Sequence, residues 1–241
     1  AQKQVLLSEV LAGLRWGNAF SEKHGRTVAD FQTRFRRDGD EVVINGEKFY
    51  ATGALLAHRI HAVALDEHDR AHLIVLDRDT PGISVINNWS AFGQRTTASG
   101  TVLLENVRAP LSRVIPTWQA FERPTAAGPI SQIIQAAVDV GIARGTIEDT
   151  LQFVRERSRP WIDSGQARAA DDHFTLAAVG DLKIRLHAAE ALLWQAGAAI
   201  DAALTQPDET SVARATVATA EAKVLTTEIA LLAGNKLFEL A

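Results

Sequence analysis

The feature that most constrains the fold is a change of pattern near the middle of the chain. From residue 27 to residue 116 the apolar runs are short and are separated by turn residues, which is typical of an antiparallel β-sandwich or barrel. After Pro129 the apolar residues recur at helical spacing. The sequence therefore predicts an α+β protein in which a β-domain precedes a helical bundle.

The predicted strands follow the turn signals of the first half. An alternating pattern over 27–35 predicts a strand. The pair Asn45-Gly46 lies between two β-rich runs, 41–44 and 47–52, and predicts a tight hairpin. Further strands are expected at 60–65, 72–76, 83–86, 100–107 and 112–116.

Three long helical patterns make up the second half. They cover residues 130–154, about 175–204, and 212 to the end, and Arg159-Pro160 ends the first of them. Their Ala-rich faces predict a close-packed antiparallel bundle. Trp194 lies in the middle of the second pattern and is predicted to be in the core.

Composition excludes several classes of site. The 241 residues include no cysteine, which excludes disulfides, thiolate metal sites and cysteine nucleophiles. A net charge of −4 argues against a nucleic-acid partner, and the absence of 18 consecutive apolar residues argues against a membrane partner. His58-x-x-His61 has no third ligand in view, so no metal site is predicted. These observations predict a soluble, cytoplasmic protein.

Four segments, in order along the chain, resemble acyl-CoA dehydrogenases. Arg15–Glu22 (RWGNAFSE) resembles the loop that leads into their β-domain, and Asn45–Gly53 (NGEKFYATG) resembles their N-G-x-K-x-W-I-T-N-G strand. Gly93–Pro110 (GQRTTASGTVLLENVRAP) resembles a later strand, and Gly141–Trp161 resembles the helix that ends in R-x-Q-F-G. The resemblance implies a β-domain between an N-terminal helical domain and a C-terminal helical bundle.

Departures from that pattern indicate a particular branch of the superfamily. Tyr50 stands where the dehydrogenases have Trp, and Arg159-Pro160-Trp161 replaces Q-F-G. Together with NNWSAFGQRTTASG and RPWIDSG, these residues resemble the flavin-dependent monooxygenases that act on dibenzothiophene and on sulfones. This resemblance implies reduced FMN from a separate flavin reductase, O₂, a flavin C4a-hydroperoxide, a hydrophobic small-molecule substrate such as an organosulfur compound, and a homotetramer.

The same resemblance implies which residues form the flavin site. Asn18 and Thr52 are expected near the reactive edge of the flavin as catalytic groups, with Ser21 as a further donor. Tyr50 and Trp89 are expected to form a wall of the ring site or of the substrate pocket. Four more residues are expected to contact the cofactor: Arg95, Ser99, Arg157 and Arg159.

Each assignment has a structural alternative. Asn18 alternatively serves only as a turn residue, Thr52 as an ordinary strand residue and Trp89 as a core residue. Arg95 could equally pair with a carboxylate. Arg157, with Arg159, is implied to meet the flavin phosphate across a subunit interface, where a guanidinium suits an anion.

The chemistry of this residue set is compatible with an oxygenating flavin enzyme. Such a site needs no strong protein base or nucleophile, because the cofactor carries the difficult chemistry. Two other functions stay open: an FAD-dependent acyl-CoA dehydrogenase, and a non-catalytic relative that acts as a binding module.

The expected domain boundaries complete the interpretation. Residues 1–14 would end an N-terminal helical domain, 15–116 form the flavin-binding β-domain, 117–129 a linker, and 130–241 an incomplete bundle. The chain starts with Ala and contains no methionine. The resemblance implies that the N-terminal helical domain and the last bundle helices are missing, so residues 1–241 alone are not expected to form a complete active site.

Overall fold

The structure is a computed structural model that describes residues 2–27 and 30–240. The chain divides into two compact units, with the boundary between Glu122 and Arg123. Part of the predicted strand 27–35 falls on residues 28 and 29 and lies outside the described residues.

The first unit contains one helix and a single mixed sheet. Its elements are α1 (Gln2–Leu11), β1 (Trp16–Ala19), β2 (Arg34–Asp38), β3 (Glu41–Lys48), β4 (Arg59–Leu65), β5 (Ala71–Asp77), β6 (Ile83–Ile86), β7 (Thr101–Pro110) and β8 (Val114–Ile115). The strand order is β6-β7-β3-β2-β4-β5-β8, and β1 pairs with β4. The β1–β4 and β2–β4 pairs are parallel and the others are antiparallel. The predicted all-antiparallel sheet is therefore corrected, because long connections let β1 and β2 approach β4 in the parallel sense.

One face of the sheet is covered by a single apolar core. Side chains from most of the strands meet there, among them Ala19, Val42, Ile44, Ile60, Ala62, Ile74, Leu76, Val102 and Leu104. The next residue along each strand points to the opposite face. Ala19 is buried in this core, so Asn18 presents its side chain away from it.

The predicted hairpin at Asn45-Gly46 is wrong. The tight turn instead joins β2 to β3 at Gly39, whose φ is 64°. Asn45 and Gly46 lie inside β3, where the pairing with β7 shifts register, and Asn45 Oδ1 accepts the Asn106 N–H at 2.8 Å. A Cβ at Gly46 would lie 2.2 Å from Thr33 Oγ1. The Asn-Gly pair therefore serves a bulge and a close approach rather than a turn.

Four further strand predictions are confirmed with shifted ends, whereas the run 47–52 is strand only at 47–48. The patterns at 60–65 and 72–76 form the antiparallel pair β4–β5, and those at 83–86 and 100–107 form β6–β7. The pattern at 112–116 gives only the two-residue β8, and in the described part of 27–35 a strand begins only at Arg34.

The second unit confirms the three predicted helices. They are α2 (Ala127–Glu156), α3 (His173–Thr205) and α4 (Glu209–Leu240). Asp172 caps α3 by accepting the Thr175 N–H at 2.9 Å, and Asp208 accepts the Ser211 N–H at 2.7 Å before α4. None of the helices in residues 2–27 and 30–240 combines the length and apolar character that a bilayer span needs.

Small residues allow these helices to pack closely. Ala143, Ala189, Ala222 and Ala233 are fully buried. Trp194 is 81% exposed, so its predicted place in the core is wrong, because its neighbours Leu193 and Ala196 take the inward positions of α3.

Two rows of apolar side chains stay exposed on the bundle. On α2 the row recurs every four residues, as Ile130, Ile134, Val138 and Ile142. On α4 it recurs every seven residues, as Val217, Val224, Leu231 and Phe238. Each row forms one continuous stripe on its helix, since both spacings keep side chains on one face.

Polar contacts attach α1 to the sheet, because none of its described residues is buried. Glu9 accepts hydrogen bonds from Arg113 at 2.6 Å and from Arg59 at 3.1 Å. Gln2 Nε2 donates to the carbonyls of Ser112 and Val114, both at 2.9 Å. The hydrogen bonds from Arg113 and then Arg59 lower the pKa of Glu9 from 4.5 to about 2.

Glu9→Gln is expected to reduce stability by about 1–3 kcal/mol at pH 7, since Arg113 loses its charged acceptor and Arg59 keeps only Asp77. The pKa of Glu9 is about 2 when folded against 4.5 as the reference. Its contribution is therefore complete above pH 4.5 and disappears as the pH falls towards 2. Urea unfolding at pH 7, 4 and 3 should show a shallower acid slope in the variant.

Asp181→Asn provides the control, because Asp181 pairs with Arg185 on α3 and both side chains are about half exposed. We expect a change below about 0.5 kcal/mol for this variant. Equal pH slopes for the wild type and Glu9→Gln would contradict the assignment to Glu9.

Candidate functional site

Strand β1 and the residues after it run beside the segment that follows β3, and this pairing builds the candidate site. The Asn18 N–H donates to the Thr52 carbonyl at 2.9 Å, and Asn18 Nδ2 donates to the Tyr50 carbonyl at 3.4 Å. Further along, the Phe49 N–H donates to the Ser21 carbonyl at 2.8 Å. The structure therefore brings four of the predicted residues into one place, although they are up to 34 positions apart.

A glycine in β1 allows β1 to lie this close to the segment that follows β3. Gly17 precedes Asn18 in β1, and a Cβ there would lie 2.5 Å from Ala54 Cα and 2.7 Å from Ala54 N. Any other residue at position 17 would push β1 away from the turn that follows Thr52.

A chain of hydroxyl groups lies behind Thr52. Thr52 Oγ1 lies 2.8 Å from Ser99 Oγ, and Ser99 Oγ lies 2.7 Å from Thr97 Oγ1. Thr97 Oγ1 donates to the Gln94 carbonyl at 2.9 Å. Ser99 is buried whereas Thr52 is exposed, so the chain leads from the surface inward. Ser99, predicted as a cofactor contact, touches Thr52 directly.

Two aromatic rings lie beside the hydroxyl chain. Tyr50 and Trp89 meet edge to face, with ring centroids 5.6 Å apart and an angle of 71° between the ring planes. Trp89 Nε1 donates to the Gln94 carbonyl at 3.0 Å, which fixes the indole. Tyr50 is 53% exposed, so its ring is available as a wall for a ligand.

Unusual backbone geometry is concentrated around these residues. Tyr50, Gln94 and Ala98 have φ values of 52°, 46° and 46°, in the left-handed region that favours glycine. Such residues cost free energy and concentrate at ligand sites. Their meeting at one place supports a binding role for this part of the first unit.

A buried ion pair that sequence reasoning missed holds the same two segments. Lys48 Nζ, with a fully buried side chain, donates to Glu22 Oε1 at 2.6 Å and to the Phe20 carbonyl at 3.1 Å. Glu22 also accepts the N–H groups of Gln32 at 2.6 Å and Thr33 at 3.1 Å. A lone lysine in a strand gives no sequence signal for burial, because lysine is rarely buried.

The charges of this pair are fixed by opposing effects. Burial alone would raise the pKa of Glu22, but the hydrogen bonds from Lys48 and the Gln32 N–H hold that pKa below its usual value. Burial lowers the pKa of Lys48, which Glu22 opposes. Both groups need each other because an isolated buried charge is costly.

Lys48→Met is expected to destabilise the protein by about 3–5 kcal/mol, because it leaves Glu22 buried without its cation. Urea unfolding at pH 7 measures the loss. The double variant Glu22→Gln/Lys48→Met should recover a large part of it, since neither charge is then left unpaired.

Lys3→Met is the matched control, because Lys3 is exposed on α1. Its effect should stay within about 0.5 kcal/mol. A Lys48→Met variant as stable as this control would contradict the importance of the pair.

The three predicted arginines form no described contact with the cluster around Asn18, Thr52 and Ser99. Arg95 lies on a short 3₁₀ turn over Arg95–Thr97 and is exposed, and no carboxylate in the described chain pairs with it. Arg157 and Arg159 belong to the second unit. Arg157 lines a cavity of about 240 Å³ with Phe153, and Arg159 lines one of about 210 Å³ with Trp161.

The donor set around Asn18 and Thr52 fits a flavin ring better than a metal ion. It consists of an amide, hydroxyl groups and an exposed aromatic ring, which suit the polar edge and flat faces of an isoalloxazine. In the described part of the chain no cluster of three His, Asp or Glu side chains could hold a metal.

Comparison with protein families identifies both units. The family model described as "Acyl-CoA dehydrogenase, middle domain" matches residues 18–107. The model described as "Acyl-CoA dehydrogenase, C-terminal domain" matches residues 133–241. Together they account for most of the chain, including all of the candidate residues named above.

Individual relatives agree with this. The chain is 28% identical to a dibenzothiophene monooxygenase of Mycolicibacterium goodii, over 99% of the chain and 61% of that protein. It is 31% identical to the probable FMNH2-dependent monooxygenase SfnC of Pseudomonas putida, over 93% of the chain and 57% of that protein. The FMN-bound crystal structure of TdsC from Paenibacillus sp. A11-2 superposes with a TM-score of 0.89 at 25% identity, over 97% of the chain and 62% of TdsC. The chain thus spans about three fifths of the length of each of these three relatives. The two family models show that it belongs to the acyl-CoA dehydrogenase family.

Proposed function

We propose that the protein containing this chain is a flavin-dependent monooxygenase that uses reduced FMN and O₂ on a hydrophobic small molecule such as an organosulfur compound. The observation that carries the proposal is the cluster of neutral polar side chains at Asn18, Thr52 and Ser99 beside the exposed Tyr50 ring. Supporting relatives are an FMNH2-dependent monooxygenase and the FMN-bound and indole-bound structures of TdsC.

When bound, reduced FMN supplies the two electrons that divide O₂ into one oxygen atom for the substrate and one water molecule. Asn18 and Thr52 would hold and orient its polar edge, and Ser21 would add a donor from the neighbouring segment. Arg95 is close enough in sequence to Thr97 to sit at the rim of the same site.

The aromatic pair has a separate part in the proposal. Tyr50 and Trp89 would cover a face of the ring or the substrate and exclude water, which an oxygenating site requires. Arg157 and Arg159 are exposed and, as described, form no ion pairs within the chain, so their guanidinium groups are available for a flavin phosphate. We place that phosphate contact across a subunit interface.

The assembly in this proposal is a cytoplasmic homotetramer that receives reduced FMN from a separate flavin reductase. The exposed apolar rows on α2 and α4 support association, since monomeric proteins rarely leave such long apolar stripes open. Light scattering of the full-length protein should give four times the mass of one chain. A monomer over the whole micromolar range would contradict this part.

The function is tested in the full-length protein by anaerobic titration with reduced FMN, followed by mixing with air and a thiophene or sulfone. We expect binding of reduced FMN and a product one oxygen atom heavier by mass spectrometry. Bleaching of bound FAD by an acyl-CoA, without oxygen transfer, would favour the dehydrogenase instead. Failure to bind any flavin would favour a non-catalytic binding module.

Asn18→Ala is expected to weaken binding of reduced FMN by roughly fivefold, because one hydrogen bond of about 1 kcal/mol is lost. Anaerobic fluorescence titration measures the change. Gln135→Ala removes an exposed amide from α2 and should leave the affinity unchanged. Equal affinities of wild type and Asn18→Ala for reduced FMN would show that Asn18 does not bind the flavin.

A further inference from the structure

The carbonyl at the inner end of the hydroxyl chain behind Thr52 favours one direction for its hydrogen bonds. Each hydroxyl has one proton to donate. The Gln94 carbonyl can only accept, so the proton of Thr97 is used in the 2.9 Å bond to it. Ser99 must then donate in its 2.7 Å contact with Thr97, and Thr52 must donate in its 2.8 Å contact with Ser99.

The inner end of the chain is well anchored. The Gln94 carbonyl also accepts Trp89 Nε1 at 3.0 Å and the Thr97 N–H at 3.3 Å. Gln94 has a left-handed backbone, with φ 46°, and its carbonyl accepts from Trp89 Nε1, the Thr97 N–H and the Thr97 hydroxyl. Reversing the chain would leave this carbonyl without the Thr97 hydroxyl and would turn the Thr52 proton to the Tyr50 carbonyl, which lies 3.4 Å from Thr52 Oγ1. The inward direction is favoured because the 2.9 Å bond from Thr97 to Gln94 is much shorter than that contact.

The outer end is consequently an acceptor. The Thr52 proton points inward to the buried Ser99, and the exposed side of Thr52 Oγ1 offers lone pairs. A ligand that donates to Thr52 matches this arrangement. A ligand that needs a donor there must first turn the Thr52 hydroxyl away from Ser99.

Oxidised and reduced flavins differ in this respect. In the oxidised isoalloxazine N5 of the central ring is a hydrogen-bond acceptor, whereas two-electron reduction converts it to an N–H donor. We propose that the chain Thr52–Ser99–Thr97–Gln94 makes the site selective for the reduced flavin by presenting Thr52 as an acceptor. This inference rests on the proposed function, because it takes a flavin as the ligand at Thr52.

The test compares the affinities of both redox forms of FMN in the full-length protein. We expect the wild type to bind reduced FMN more tightly than oxidised FMN. Thr97→Val removes the acceptor that orients Ser99, so Ser99 can donate to Thr52. The Thr52 proton is then free to turn to a ligand or to the Tyr50 carbonyl, 3.4 Å from Thr52 Oγ1. The dissociation constant of oxidised FMN divided by that of reduced FMN should then fall about tenfold. This change lowers the reduction potential of bound FMN by about 30 mV.

Thr97→Val also distinguishes an effect passed along the hydroxyl chain from the loss of a direct contact with Thr52, since it leaves Ser99 in place. Ser99→Ala should shift the potential in the same direction, and Thr52→Ser, which keeps the hydroxyl, should retain the wild-type value. Melting temperatures of all variants show whether they fold. A folded Thr97→Val protein with the wild-type potential would overturn the proposal, as would a wild type that prefers oxidised FMN.

Neutron diffraction of the flavin-free protein gives a readout that does not depend on flavin. A deuteron on Thr52 Oγ1 directed at Ser99 is expected, and a deuteron on Ser99 directed at Thr52 would overturn the inference. If the wild type binds neither form of FMN, the proposed function fails and selectivity for reduced flavin fails with it. The deuteron position still decides the direction of the chain.

Discussion

The ion pair between Lys48 and Glu22 is the interaction on which the geometry of the first unit depends most. A fully buried ammonium group is tolerated only when each of its protons has a partner, and here the partners are Glu22, the Phe20 carbonyl and the face of the Phe31 ring. These partners belong to the segment that continues β1, whereas Lys48 ends β3. The pair therefore holds two segments that are distant in sequence side by side. The residues that follow Lys48, including Tyr50 and Thr52, are positioned by this contact.

The general architecture could be predicted because its signals are long. Three helical patterns of about thirty residues each gave three helices, and the charged loop between 60–65 and 72–76 gave a strand pair. Local signals were less dependable. Asn45-Gly46 is the strongest short hairpin motif in the chain, yet Thr33 approaches Gly46 so closely that a bulge in β3 uses the glycine instead. Parallel pairing of β1 with β4 depends on contacts across 39 residues and leaves no local trace.

The candidate site was predicted only as a set of residue types in familiar motifs. Motif resemblance pointed to Asn18, Thr52 and Ser99, but the hydrogen bonds that join them depend on Gly17, Thr97 and the backbone of Gln94, which no motif singled out. The buried pair was missed for a related reason: whether a lysine is exposed is decided by the fold around it. Sequence motifs pointed to residues whose side chains are proposed to contact the ligand, and they did not point to residues that act through their backbone or through the absence of a side chain.

The left-handed backbone at Tyr50 has a consequence for engineering. Glycine or asparagine would adopt a φ of 52° at lower cost, so a substitution chosen for thermal stability alone would replace the tyrosine. The same replacement would delete the exposed ring that meets Trp89. Backbone stability and the proposed role of the ring thus make opposite demands on one position. The left-handed φ of Tyr50 marks this conflict in the absence of any ligand.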